Sequence, residues 1–466
     1  MDHVALDAVL DWLDVGALLV AGGVCRAWRG RALRREAWAA RRFPPGRGSA
    51  TDVRLAWSES RNALRRWRRG TWSEQRMALP SFCHHMEADG DWLAWAAPPP
   101  PRMDPEDRNV HSGTKDDTIQ LYDASTRRRA ELRRRQTGRC LVSVAPHQRR
   151  GLVAALSEGT RGKYACEVWD GRAEGHGAHA AYDGTLETSL HHQRLFWHGD
   201  SLLMCENGLQ ETATVERLVV RDDGGGLCLA DRRAYRIRRA ACGNPMFAAS
   251  HDELYLVTGW HVRTLDLRRP DHEPAESHHP HPDPHYIDDA LVVGDGRHVA
   301  TTESPMGGRL VLHDVRAAGT PAAEMHEPTT RHKRPLCGTS GGTLLVWSER
   351  ACTAHSTQAS IAYECTACCY VLQEWDPRDG AVRDLVVVRR KSCHVWARCA
   401  DERRIALRTW YMFPDELRLL DATVRTPLPE PCDDDRRDDD DAAASDGDTA
   451  RVGRRVRTLV IDSGRP

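Results

Sequence analysis

Apolar residues at the start of the chain recur at helical spacing. Leu6, Leu10 and Leu13 are followed by Leu18, Ala21, Cys25 and Trp28, which predicts two short amphipathic helices, with Trp38 in a third helical stretch. Asp14 stands at the junction, where its side-chain oxygen can take a free backbone N–H of the second helix. Fewer than about 40 residues bury too little surface to fold alone. These side chains must therefore pack on the rest of the chain or on a partner. A Pro/Gly break at 43–49 ends this module. The pattern over 52–69 is helical again: Val53, Ala56, Trp57, Ala63, Leu64 and Trp67 form a stripe, and arginines cover the other face. From about residue 71 the chain changes to short apolar runs separated by Gly, Asp, Pro and Asn, the texture of an all-β domain of many strands.

Those runs repeat. Seven of them end on an aspartate, at Asp123, Asp170, Asp222, Asp266, Asp314, Asp376 and Asp421, with spacings of 44 to 62 residues. A four-stranded propeller blade repeats about every 40–45 residues, so the spacing predicts a propeller of seven four-stranded blades. Each aspartate is expected to end the third strand of its unit and to accept backbone N–H bonds in the turn that follows. Unit three reads as strands at 194–197, 201–205, 215–221 and 226–230. A ring must also be closed, or raw sheet edges remain. Residues 71–79 and 454–462 are the candidates, and either would complete the final blade. The segment 427–450, with the run Asp-Asp-Asp-Arg-Arg-Asp-Asp-Asp-Asp at 433–441, reads as a solvated, disordered insertion. Two loops are expected to interrupt the rhythm, 98–116 with four consecutive prolines and 268–288 with a His/Pro run.

Composition narrows the class. At 466 residues and 40% hydrophobic content there is room for two or three domains with a sizeable core. The longest apolar run, 15–24, is half of the roughly 20 residues that a membrane span needs. The acidic N-terminus lacks the basic region of a secretory signal. A cytoplasmic or nuclear protein is expected, its 15 cysteines reduced. The net charge of −1 conceals an asymmetry. Residues 26–70 hold 14 arginines, no lysine and three acids, a charge of +11, which leaves −12 for the rest. This collar reads as a solvated helical face, and with no base-reading motif nucleic acid is not an expected partner. Only Lys115, Lys163, Lys333 and Lys391 are lysines, against 62 arginines, a skew that coding bias would produce.

Little of the sequence suggests bond chemistry. Cys365, Cys368, Cys369, Cys393, His394 and Cys399 have the residue types of a structural zinc site. No second paired knuckle follows, however, and residues 370–375 read as a strand whose alternate side chains face opposite ways. Buried or mixed thiols are the preferred reading. No Gly-rich phosphate loop, Gly-x-Ser-x-Gly elbow or His-Glu-x-x-His pair is present. The chain is expected not to be an enzyme and to need no cofactor.

The opening residues also carry a resemblance. Val9-Leu10, Trp12-Leu13-Asp14, Leu18-Leu19, Val24-Cys25-Arg26, Trp28 and Trp38 stand at offsets that resemble the F-box, the three-helix module that docks on the Skp-type adaptor of cullin-RING ubiquitin ligases. The family's Leu-Pro opening is absent. Gly22-Gly23 interrupts the second helix at about 1 kcal/mol per glycine. Arg66-Trp67-Arg68-Arg69-Gly70 resembles the Trp-x-x-Gly linker of F-box proteins that carry WD repeats. Trp169-Asp170 and Trp375-Asp376 keep the WD dipeptide, whereas the Gly-His partner is missing from its offset. The resemblance implies an F-box-like module at 1–43, an arginine-rich linker at 44–70 and a degenerate WD-repeat-like propeller at 71–466. It implies a substrate-recognition subunit of an SCF-type ligase. Val9, Leu10, Leu13, Leu18, Leu19, Val24, Cys25, Trp28 and Trp38 would serve the module and its adaptor contact. The cullin would join through the adaptor, and a target protein would bind the propeller. The competing expectation is a non-ligase propeller scaffold for protein–protein interaction, its N-terminal helices packed on its own ring.

Overall fold

The computed structural model describes residues 50–78, 84–97, 118–133, 140–158, 163–172, 179–185, 193–198, 201–206, 212–222, 227–238, 246–249, 254–257, 261–265, 275–278, 286–293, 298–304, 309–315, 322–325, 327, 330–339, 342–350, 369–390, 394–399, 401–410, 416–423 and 456–461. The F-box-like residues, the proline loop at 98–116 and the acidic segment at 427–450 lie outside them. Among the described residues there is one helix, α1 (Ala50–Arg69), and it is not apolar enough to cross a membrane. Arg66, Arg68 and Arg69 in its last turn suit the negative end of the helix dipole. Gly70, at φ 66°, ends it in the left-handed conformation that a side chain disfavours, and its N–H bonds back to the Trp67 carbonyl at 3.1 Å.

The rest is strand. β1 (Ser73–Ala78) follows the helix directly. Sheet I holds β2 (His84–Asp89), β3 (Trp92–Ala97), β4 (Thr118–Asp123) and β5 (Arg128–Leu132). Sheet II holds β6 (Cys140–His147), β7 (Leu152–Glu158), β8 (Lys163–Asp170) and β9 (His179–Thr185). Sheet III holds β10 (Gln193–His198), β11 (Ser201–Glu206), β12 (Thr212–Asp222) and β13 (Leu227–Arg238). Sheet IV holds β14 (Met246–Ala249), β15 (Leu254–Val257), β16 (His261–Leu265) and β17 (Ala275–His278). Sheet V holds β18 (Tyr286–Val293), β19 (His298–Ser304), β20 (Arg309–Asp314) and β21 (Ala323–Met325). Sheet VI holds β22 (Thr330–Gly338), β23 (Leu344–Arg350), β24 (Cys369–Trp375), β25 (Val382–Arg390) and a fifth strand, β29 (Arg457–Ile461). Sheet VII holds β26 (His394–Arg398), β27 (Arg404–Trp410) and β28 (Glu416–Asp421), with β1 added beyond β28.

Neighbouring sheets meet through their first strands: β2 with β6, β6 with β10, β10 with β14, β14 with β18, β18 with β22, and β26 with β2. The first strands therefore lie toward a common axis, and the architecture is propeller-like. Apolar side chains fill the seams between sheets. Leu156, Tyr164 and Leu202 are buried between sheets II and III, and Ile119, Leu121, Val153 and Trp169 between I and II.

The aspartate rhythm falls where the repeat placed it. Asp123, Asp170, Asp222, Asp314 and Asp421 end the third strand of their sheets, and Asp376 follows Trp375 at the end of β24. Asp266 lies one residue beyond the described end of β16. Asp123 accepts the Ser125 amide at 2.8 Å and the Thr126 amide at 3.2 Å; Asp170, Asp376 and Asp421 each take the amide two residues on.

Two expectations are corrected. Segment 268–288 is not all loop, because Ala275–His278 pairs with β16, His261 opposite His278, and supplies the fourth strand of sheet IV. The His/Pro run begins only where that strand ends. The two candidates for completing the last sheet are not interchangeable. Only β1 joins the last sheet, antiparallel to β28 with Ser73 opposite Asp421. The segment 454–462 instead supplies β29, which runs parallel to β25 with Val386 opposite Arg457.

Burial opposes ionisation of Asp123, but the Ser125 hydroxyl and the amides of Thr126 and Ser125 outweigh it and hold the carboxyl below its ordinary value. A carboxyl depressed by folding stabilises above its unfolded pKa of about 3.9, and that contribution is lost as pH falls through the folded value. Solvent screens this exposed turn, so Asp123→Ala should cost about 0.5–1 kcal/mol in urea unfolding at neutral pH. The difference from the natural protein should shrink as the pH is taken below the carboxylate range, and a pH-independent difference would refute this account of the turn.

Candidate functional site

Two surfaces stand out, a docked helix and a rim of arginine and tryptophan. The helix surface follows from the apolar stripe of α1. Ala63, Leu64 and Trp67 are buried in one cluster with Trp72, Leu345, Trp347, Leu372, Leu385, Val395 and Leu407, which spans sheets VI and VII. The Trp67 indole N–H donates to the Glu402 carbonyl at 2.6 Å. Its ring lies 5.8 Å from that of Trp72. Arg66 donates to the carbonyls of Ala422 (2.8 Å) and Thr423. Arg68 forms a two-point pair with buried Glu374, Nε to Oε2 at 2.8 Å and Nη2 to Oε1 at 2.6 Å, and this hydrogen bonding raises its already high pKa. Arg457 of β29 donates to the Trp72 carbonyl at 2.6 Å, with its guanidinium 4.0 Å above the Trp72 ring.

The solvated-face reading of the arginine collar is thus corrected in part. Arg61, Arg65 and Arg69 are exposed, as expected, but Arg66 and Arg68 flank Trp67 and are tied to the sheets. A cleft of about 340 Å³ adjoins them, lined by Arg68, Arg350, Arg383, Asp384 and Val456 among others. Its charges are matched internally, Arg350 to Asp384 at 2.9 Å and Arg68 to Glu374.

The second surface lies on the first strands of sheets V, VI, VII and I. In β26, Val395 and Ala397 turn into the core while Trp396, between them, is 43% exposed. The Arg334 guanidinium lies 5.3 Å from the Trp396 ring and is held by Asp289 at 2.5 Å. A register shift in β22 between Arg331 and Arg334, with His332 at φ 47°, marks a bulge, a device that re-aims the side chains beside it. Two residues along β26, Arg398 donates to the Met86 carbonyl at 3.3 Å and lies 3.4 Å from Glu87. A half-exposed indole with an oriented guanidinium against it is the residue chemistry of protein-binding hot spots.

Val9, Leu10, Leu13, Leu18, Leu19, Val24, Cys25, Trp28 and Trp38 fall outside the described residues, as do Cys365, Cys368 and Cys393. Cys369 opens β24 and Cys399 follows β26; neither is in a disulfide. The hydrogen bond with Cys399, and then burial, push the Cys337 thiol well up. Among the described residues no three His, Cys, Asp or Glu side chains gather as metal ligands would. The Arg334–Trp396 contact was missed in the sequence. Its one local signal is the alternation in His394–Arg398, which sets Trp396 opposite Val395 and Ala397.

No family model matches the chain, and no curated relative does. Solved structures similar to it include the crystal structure of Chaetomium thermophilum Raptor, at 12% identity and a TM-score of 0.49, covering 83% of this chain and 34% of that one. The chain thus spans about a third of the Raptor chain's length. Another is a chain in the crystal structure of a mitotic checkpoint complex, at 10% identity and a TM-score of 0.43, covering 76% and 91% of the two chains.

Trp67→Ala should cost about 3–5 kcal/mol in urea unfolding, since it opens a cavity and strands the Glu402 carbonyl. Arg69→Ala, on the exposed side of the same turn, should stay within about 0.5 kcal/mol. Equal effects would mean that the helix is not docked as described.

Proposed function

We propose that the chain is the substrate receptor of a cullin-RING ubiquitin ligase, and that its seven sheets are the blades of one closed ring. The observation that carries this reading is the join: residues resembling an F-box precede a helix whose Trp67 is buried in the propeller-like body. The module would dock on a Skp-type adaptor, and the rim around Trp396 would hold a target protein. The chain would do no bond chemistry itself and would work in the cytoplasm or nucleus. Its mechanism is proximity, two binding sites on one body raising the effective concentration of the target near the ubiquitin donor.

One observation favours the rival reading, a propeller scaffold without a ligase role: α1 packs on its own sheets, and the helices before it would then do the same. Full-length variants separate the two. For a receptor, Leu18→Ala or Trp28→Ala abolishes co-purification with the adaptor and leaves urea unfolding of the sheets unchanged. For a scaffold, the natural protein captures no adaptor and the same variants lower its stability. Trp396→Ala tests the rim. It should change stability by less than about 1 kcal/mol, because the ring is partly exposed, while removing targets from the proximity-labelling set. An unchanged set would place target binding elsewhere.

A further inference from the structure

The exposed side of α1 presents Arg61, Arg65 and Arg69 at successive turns, about 6 Å apart along the axis. The helix carries six arginines and two acids. Opposite charge is close at hand in the same chain. Residues 430–448 contain ten acids and two arginines. The structure anchors both ends of the segment that carries them beside the C-terminal turn of α1. At the near end, Arg66 holds the carbonyls of Ala422 and Thr423. At the far end, Arg457 lies over the Trp72 ring and bonds its carbonyl.

We propose that the arginine face of α1 is the docking surface for the acidic segment 430–448 of the same chain. Reach is sufficient. Ten residues separate Thr423 from Asp433, up to about 33 Å of extended chain, against about 12 Å from Arg61 to Arg69. Tethering at both ends keeps the carboxylates at an effective concentration in the millimolar range, so weak exposed ion pairs are populated without strong individual contacts. The charge asymmetry of the chain, a basic collar and an acidic insertion, is then one device. The insertion neutralises the collar and denies it to other polyanions. This inference does not rest on the ligase reading.

The scarcity of lysine makes the test clean. In the full chain, Arg61→Lys, Arg65→Lys and Arg69→Lys together keep the charge and add three amines to a background of four lysines. Carbodiimide treatment at low ionic strength and high dilution should then form amide links within one chain between those positions and carboxylates of 430–448, mapped by mass spectrometry. About 0.5 M salt should suppress them, since screening shortens the reach of exposed charges. Links only to acids elsewhere, links only between chains, or none would each overturn the proposal. As a second measure, changing the seven aspartates of 433–441 to asparagine should raise the affinity of the full chain for polyglutamate at least tenfold. Unchanged affinity would also overturn it.

Discussion

Burial of Trp67 and Trp72 in the seam between sheets VI and VII is the contact on which the remaining architecture depends. The residue after Trp72 opens β1, the strand that completes sheet VII, so helix and completing strand are one continuous piece of chain. β1 has only six residues, and a short strand pair is marginal by itself in water. Holding both indoles at 1% exposure or less fixes where β1 starts and so removes most of the entropy of bringing it to β28. The C-terminal strand adds a second hold at the same point, because Arg457 stacks on Trp72 from outside. Both ends of the described chain therefore converge on one tryptophan.

Charge decides the register of that closure. Arg418 on β28 is only 2% exposed, and its guanidinium lies 3.0 Å from Glu74 of β1 and 2.8 Å from Glu416. A slip of one residue would turn Glu74 to the other face and leave Arg418 buried without that carboxylate. A buried ion pair adds little net stability over apolar packing, but breaking one by removing a partner costs about 3–5 kcal/mol. The same logic joins sheet VII to sheet I, where Arg404 bonds Asp91 across the seam and Asp421 of its own sheet at 2.9 Å. Hydrophobic burial brings the ends together; these pairs select the correct alignment from its neighbours.

The parts of this fold that were legible in the sequence are those set by local rules. An aspartate ending a strand bonds amides two and three residues on, so its signal survives in the sequence at every repeat, even where the WD dipeptide is lost. The stripe Ala63, Leu64, Trp67 announced a buried face because helical spacing alone produces it. What could not be read was choice of neighbour. Residues 454–462 look like any apolar strand, and nothing within them says that Val386 rather than Arg418 stands opposite. Arg66 and Arg68 looked like solvated charges, since their carbonyl and carboxylate partners lie more than three hundred residues away. Trp396 was hidden for the same reason: alternation assigns it a face, but only the packing of sheet VI beside sheet VII brings Arg334 to it.

The docked helix also constrains how the chain can use whatever precedes it. Trp67 and Ala50 belong to the same unbroken helix, about 25 Å apart along its axis. Ala50 is therefore joined to the sheets through a rod rather than a hinge. A rod sets both distance and direction, whereas a flexible linker of 20 residues would spread its far end over a volume of similar radius. Proximity mechanisms gain most when the linker length matches the span between sites and lose when it samples elsewhere. The buried stripe of α1 is thus more than core filling. It sets the start of the helix, Ala50, at a fixed offset from the rim that carries Trp396.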